Sequence, residues 1–329
     1  MSRVRASRLA LVAGVLGLAA LAVLPRLLNG YGVQVVMIGF FYVLLGVSWN
    51  LLAGYLGQFS LAHHAFATIA AYASAGVVLA FHAPLPVGIL GGVLAAAVLG
   101  YGLGWLTLGL RGVYFAIATW AFAESVRLLL TINYQLTRGD MGLAVPFLFD
   151  TPDQTPAYEV FLAFAAASVV LVAVLLRTKL GYRMQAIRDD EDLAVAAGID
   201  VVRWKRWVFV LSTALAGLAG ALYGHAVGLL SPSQADFSQM AFVVVAVVLG
   251  GFRTLWGPVV GALLAQGLSE LLRFSAEVRL IIFAVLVLLI MRLYPPGVVG
   301  LVHALASRLL KLRSEGEGKD ERRRAVPAL

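Results

Sequence analysis

The chain alternates long apolar runs with short breaks marked by polar residues, glycine or proline, and this alternation predicts its elements. From Leu27 to Leu110 there is no Asp, Glu, Lys or Arg. A helix needs about 20 apolar residues to cross about 30 Å of hydrocarbon, so this stretch is expected to hold three crossings, near Tyr31–Leu52, Ser60–Ala80 and Leu85–Leu108. The Gly54/Gly57 segment and the Pro84-Leu85-Pro86 turn separate them, because there the backbone leaves the helical ladder. Leu9–Leu24 forms a crossing ahead of these, ended near Pro25. Val113–Leu130, Tyr158–Leu176, Trp207–Leu229, Gln239–Gly250, Gly257–Leu272 and Val278–Leu293 follow. The expected fold is all-α and polytopic, with about ten transmembrane helices.

Composition agrees with that pattern. Hydrophobic residues make up 61% and charged residues 13% of the 329, against about 45–50% and about 25% in soluble domains. The formal charge of +8 carries topology information rather than a nucleic-acid groove, because the basic residues sit between apolar runs and at the two ends. No cysteine occurs, which excludes disulfides, cysteine zinc sites and thiolate catalysis. Arg3, Arg5 and Arg8 precede the first run, and Ala20-Leu21-Ala22 resembles a signal-peptidase site. A retained first helix is the expectation, since a polytopic chain needs no removable signal.

The basic residues set the orientation. Arg177 to Arg206 holds Arg177, Lys179, Arg183, Arg188, Arg203, Lys205 and Arg206, whereas Thr131 to Ala157 has Arg138 against Asp140, Asp150 and Asp153. The first connection is expected in the cytoplasm and the second outside. Alternation then places both termini, Arg111 and Arg253 inside. Residues 1–306 read as the membrane domain, with a cytoplasmic loop at 178–206, and 307–329 as a polar, aperiodic cytoplasmic tail.

Short or interrupted apolar segments point to a transport pathway. Asp236 to Gly251 spans only about 24 Å at about 1.5 Å per residue. Its lead-in, Ser231-Pro232-Ser233-Gln234-Ala235-Asp236-Phe237, suits a first helical turn, with Asp236 or Ser238 as cap. A helix start buried there would turn a positive dipole end toward an anion such as a substrate carboxylate. Gly57, Ser60 and Phe66 in "GQFSLAHHAF" match Gly228, Ser231 and Phe237 in "GLLSPSQADF" at one offset, the pattern of an inverted repeat of five helices. Close packing of small residues would leave the same trace.

Glu124 falls about 16 Å into its helix, and Arg127 follows one turn later. Such charges normally face the interior or an aqueous cavity, as a pathway lining or as a packing pair. His63 and His64 are adjacent on a helix and point about 100° apart, so they form no two-histidine metal site; they and His225 read as hydrogen-bonded helix-end or pathway histidines. The stretch "LGYRMQAIRDDEDLAVAAGID" is expected to form a short helix ended at Gly198, with Met184, Ile187, Ala194 and Val195 near one face. Isolated between spans, it has little of its own chain to pack on and reads as a docking element for a cytoplasmic partner. There is no phosphate-binding loop, H-E-x-x-H or G-x-S-x-G motif, so neither ATP hydrolysis nor other catalysis is expected of this chain.

Four stretches, "LLAGYLGQFSLAHHAF", "RGVYFAIATWAFAESVRLL" with "TRGDMGL", "GYRMQAIRDDEDLAVAAGID", and "LSTALAGLAGALYGHAVGLLSPS" with "VVLGGFRTLWGPVVGA", make the chain resemble the LivM-type permease subunits of bacterial ABC importers for branched-chain amino acids. The resemblance implies an inner-membrane subunit that carries a small-molecule substrate among membrane lipids. It also implies a second related permease, two ATPase subunits that bind ATP, and an extracytoplasmic binding protein. By resemblance the coupling segment includes Ala186, Ile187, Arg188, Asp189, Asp190, Ala194 and Gly198. Gly57, Ser60, His63, Thr119, Glu124, Ser231 and Pro232 are the candidate pathway residues. His63-His64 stands where the family commonly has one histidine, and "TRGDMGL" replaces "TGGSNGL". Permeases for urea and short amides look similar, and an ion-coupled secondary transporter using Glu124 is the rival reading.

Overall fold

The computed structural model describes residues 19–273, 275–293 and 296–302, together with Gly14, Gly17 and Ala304. Half of the expected Leu9–Leu24 crossing and all of the tail at 307–329 lie outside the described residues. The long helices are α1 (Gly30–Asn50), α2 (His63–Phe81), α3 (Leu85–Thr107), α4 (Val113–Ile132) and α5 (Thr155–Arg177). Two short helices, α6 (Lys179–Asp189) and α7 (Glu191–Ala196), lead to α8 (Val201–Val227), α9 (Phe237–Gly250), α10 (Gly257–Leu271) and α11 (Ala276–Leu293).

Local chemistry sets the boundaries. The Asn29 side chain accepts from Gly32 N–H at 2.8 Å and starts α1. Proline opens α3 and α5, where an orphan N–H would otherwise stand. α1 runs on into a wider turn, Leu51–Leu56, with i→i+5 bonding, and stops at Gly57 with φ of 83°. Among the described residues six helices are long and apolar enough to cross a membrane. The expectation of about ten crossings is thus met only in part: α9 and α10, with 14 and 15 residues, span only about 21–23 Å at about 1.5 Å per residue.

The Arg177–Arg206 stretch differs from its expected form. It folds as two helices, because the Asp190 carboxylate accepts from Asp192 and Leu193 N–H at 3.0 and 2.9 Å and starts a new helix. Asp200 likewise caps α8 through Arg203 N–H at 3.0 Å, so Arg203, Lys205 and Arg206 are helical rather than loop. Met184, Ile187 and Ala194 are buried against the chain itself, whereas Val195 faces outward. The segment therefore does have its own chain to pack on. Tyr182, Leu193 and Val195 are its exposed apolar residues.

Two helix groups meet at the centre. α8 packs on α2 and α3, which pack on each other; α1 packs on α10, which packs on α9; and α1 touches α8. Water exclusion does not drive helices together inside lipid, so close fit must. At Gly220 an added Cβ would strike the Ala67 carbonyl, and at Gly261 the Ala246 carbonyl.

The two ends of the bundle have different chemistry. Arg111 bonds Asp192 at 2.9 Å, Arg188 lies against Gly57, and Arg253 N–H donates to Asn50 at 3.2 Å near Gly54. At the other end of α8, about 40 Å away over 27 residues, Leu143–Ala144 (β1) pairs antiparallel with Leu229–Leu230 (β2). There Phe147 covers Gly228, and His225 bonds Pro146 O and Ser74 Oγ at 2.8 and 2.9 Å. The basic connections thus gather at one end and the acidic connection at the other, as a positive-inside arrangement requires.

Candidate functional site

The segments after Gly57 and Gly228 enter from these opposite ends with like local geometry. Each follows a glycine with positive φ, 83° and 76°. Three residues later comes a serine whose hydroxyl accepts from the N–H two positions on: Ser60 from Ala62 at 3.2 Å and Ser231 from Ser233 at 3.3 Å. Pro232 follows in the first turn of a short 3-10 helix, Pro232–Ala235.

α4 serves as a depth gauge. Thr119 stands about 9 Å, Glu124 about 16 Å and Arg127 about 21 Å from its Val113 end. Thr119 Oγ1 accepts from Leu61 N–H at 3.0 Å, which fixes the first segment at that depth. Arg127 Nε lies 3.1 Å from Glu124 and 3.4 Å from Asp236, which fixes the second. Asp236 therefore makes no side-chain cap on α9; its carboxylate is turned to Arg127 instead.

Between those depths lies a cavity of about 70 Å³, lined by Phe41, Tyr42, His64, Thr68, Gln234 and Gln239, with Ala67, Ala71, Gly220 and Tyr223 as further wall. His64, Ala67, Thr68 and Ala71 follow the i, i+3, i+4, i+7 face of α2. Tyr42 Oη donates to Gln239 Oε1 at 3.0 Å, and Phe41 stacks on Tyr223 at 4.3 Å. His64 is 4% exposed, and among the described residues neither ring nitrogen makes a hydrogen bond of full geometry. The Gln234 backbone carbonyl faces the ring and interacts with it, short of full hydrogen-bond geometry.

The structure brings some sequence candidates together and separates others. His63 points away from the cavity and bonds Ser212 Oγ at 2.6 Å, while Ser212 donates to Ser48 O at 2.6 Å. The Ser60 carbonyl accepts from Trp49 Nε1 at 2.8 Å, so Ser60 and Thr119 hold the first segment in place. Glu124 and Arg127 join α4 to the start of α9. Tyr42, Thr68, Tyr223 and Gln239 were not singled out in the sequence. Their signal, polar side chains within one to two turns of a break for Thr68, Tyr223 and Gln239 and in mid-helix for Tyr42, was present but not specific. Among the described residues no three His, Asp or Glu side chains converge as metal ligands would.

The paired helices α6 and α7 lie across the basic end. Arg188 bonds Asp189 at 2.7 Å, and its stem covers Gly57, where a Cβ would come within 2.9 Å of it. Lys205, fully buried, bonds Glu191 at 2.7 Å. Arg183 lies 4.5 Å over the Trp204 ring. Of the residues expected to couple, Ala186, Asp189, Asp190 and Gly198 are exposed, Arg188 is half-buried, and Ile187 and Ala194 face inward.

The hydrogen-bonded Arg111 guanidinium holds the Asp192 carboxyl below its usual range. Because the folded value is depressed, this support is present above the unfolded pKa of about 3.9 and fades as pH falls through the folded value. Limited proteolysis between α7 and α8 should therefore speed up on acidification below that range. Asp192→Asn should remove Asp192's share of the acid dependence.

A family profile described as "Branched-chain amino acid transport system / permease component" matches residues 31–292. The high-affinity branched-chain amino acid transport system permease protein LivM of Salmonella typhimurium is 31% identical over 90% of this chain and 75% of its own length. LivM of Escherichia coli K12 is 31% identical over 83% and 71%. LivH of Escherichia coli K12, a permease protein of the same kind of system, is 25% identical over 84% and 95%. No solved structure matches the chain.

Proposed function

The chain belongs to the permease components of branched-chain amino acid transport systems, and from that premise we propose that it forms half of the membrane pathway of an ATP-driven importer. It is a multi-pass membrane protein with a transport role. In this reading it sits in the bacterial inner membrane with both termini in the cytoplasm. It pairs there with a second, related permease, two ATPase subunits that bind the ATP, and an extracytoplasmic binding protein. The cargo is a branched-chain amino acid, as the names of the relatives indicate for those proteins.

One observation carries this reading. The α6–α7 pair is seated by its buried side on Gly57, where α1 ends and the pathway segment begins, and turns Tyr182, Leu193 and Val195 outward. A force applied to that outer side has a rigid route to the break in α1. The like geometry at Gly57 and Gly228, and the way α8 packs on α3 as α1 packs on α10, support an inverted five-helix repeat around the pathway.

The test is the paired substitution Arg188→Glu with Asp189→Arg, which keeps the mutual ion pair while reversing the charge pattern offered to an ATPase. In the purified complex it should lower substrate-stimulated ATP hydrolysis several-fold, with unchanged assembly on gel filtration. Full stimulation would overturn the coupling assignment. Glu124→Gln separates the ion-coupled rival: it should leave most ATP-driven uptake in place, whereas a carrier using Glu124 as its proton site would stop.

A further inference from the structure

We infer that the cavity beside His64 receives the carboxylate of the transported amino acid, with the His64 ring N–H and the Gln239 amide as its donors; this deepens the permease reading and rests on it. His64 is a polar side chain with 4% exposure, and among the described residues neither ring nitrogen makes a hydrogen bond of full geometry. Buried polar groups are nearly always hydrogen-bonded, and the Gln234 backbone carbonyl can engage one ring nitrogen at most, so at least one is left for a ligand. The carbonyl of the Gln239 amide is taken by Tyr42 Oη, which leaves its NH₂ as the free end.

Three further features select the carboxylate over the ammonium. Among the described residues no acidic side chain lines the cavity. The first turns of α2 and α9 both border it through His64 and Gln239, and helix starts favour negative charge. The carboxylate closest in sequence, Asp236, is held by Arg127 at 3.4 Å. The volume of about 70 Å³ admits several waters and so has room for a carboxylate. The stacked Phe41 and Tyr223 rings, with Ala67 and Ala71, offer apolar surface to the aliphatic part, and the ammonium stays at the mouth.

The absence of native cysteine makes a direct test possible. Thr68→Cys places a thiol of similar size on the cavity wall, and Ala71→Cys is a second position should Thr68→Cys fail to assemble. The intact complex, without binding protein, is treated with methyl methanethiosulfonate, and modification of this chain is followed by mass spectrometry. L-Leucine and isovalerate, which share the carboxylate and branched chain, should slow modification about threefold at about twice their Kd. L-Leucinamide, which lacks the carboxylate, should not, and His64→Asn with Gln239→Leu should abolish the protection. Equal protection by leucinamide, no protection by any of the three, or no modification at either position would overturn the assignment. ATP hydrolysis stimulated by loaded binding protein, measured on the same preparation, reports separately on the importer reading. Its absence with protection intact would sink that reading and leave the site standing.

Discussion

Glu191→Ala should lower the stability of the chain by about 3–5 kcal/mol, the usual cost of leaving one member of a buried ion pair alone. Lys205 has no exposed side-chain surface, and its ammonium bonds Glu191 at 2.7 Å. Without that carboxylate the first turns of α8 must either keep an unpaired charge away from water or open to hydrate it. A fall in the thermal unfolding midpoint of the detergent-solubilised protein checks the expectation. Glu191→Leu combined with Lys205→Met should recover most of the loss, because a pair replaced by apolar groups is often neutral or stabilising. If the double variant is as unstable as Glu191→Ala, packing at these positions and not charge is what matters.

Gly220→Ala should be the second large effect, although it adds a single methyl group. That carbon would strike the Ala67 backbone carbonyl, and a helix backbone cannot yield as a flexible side chain does. Overpacking of this kind costs about 1–3 kcal/mol or more, and here it would push α2 from α8 beside the His64 cavity. Gly76→Ala is the control: nothing lies within 4 Å of its added Cβ, and alanine favours a helix by about 1 kcal/mol over glycine. Expression and melting temperature should fall for the first and hold or rise for the second. Equal behaviour would remove the close-packing account of the α2–α8 contact.

The sequence made the helices legible because lipid demands long apolar runs and glycine or proline must punctuate them. α3 begins at Leu85 as expected from its prolines, and the break at Gly57 is where the pattern placed it, whereas α8 runs Val201–Val227 and ends at Gly228, inside the expected Trp207–Leu229 crossing. The Glu124–Arg127 pair was equally plain, since residues one turn apart face each other whatever surrounds them. What hydropathy could not resolve was which of two adjacent histidines meets the cavity. A rotation of about 100° separates His63, bonded to Ser212 through one ring nitrogen, from His64, and only the packing of α2 on α8 and α1 decides it. The split at Asp190 was hidden for another reason. An aspartate inside a charged run looks like surface until its carboxylate is seen taking two backbone N–H groups. Nor could spacing reveal that Lys205 is buried, because its partner Glu191 is on a different helix, across a turn.

α4 buries only Phe115, Thr119 and Ala123 along its length, yet charges pin it near both extremities. Arg111, just before its foot, grips Asp192 on the α6–α7 pair, and Arg127, toward its head, grips Asp236 ahead of α9. It is held between two ion pairs, one on the α6–α7 pair and one ahead of α9. The Arg111–Asp192 bridge is exposed beyond the foot of the span and so yields to ionic strength. Salt should therefore loosen α4 at that foot.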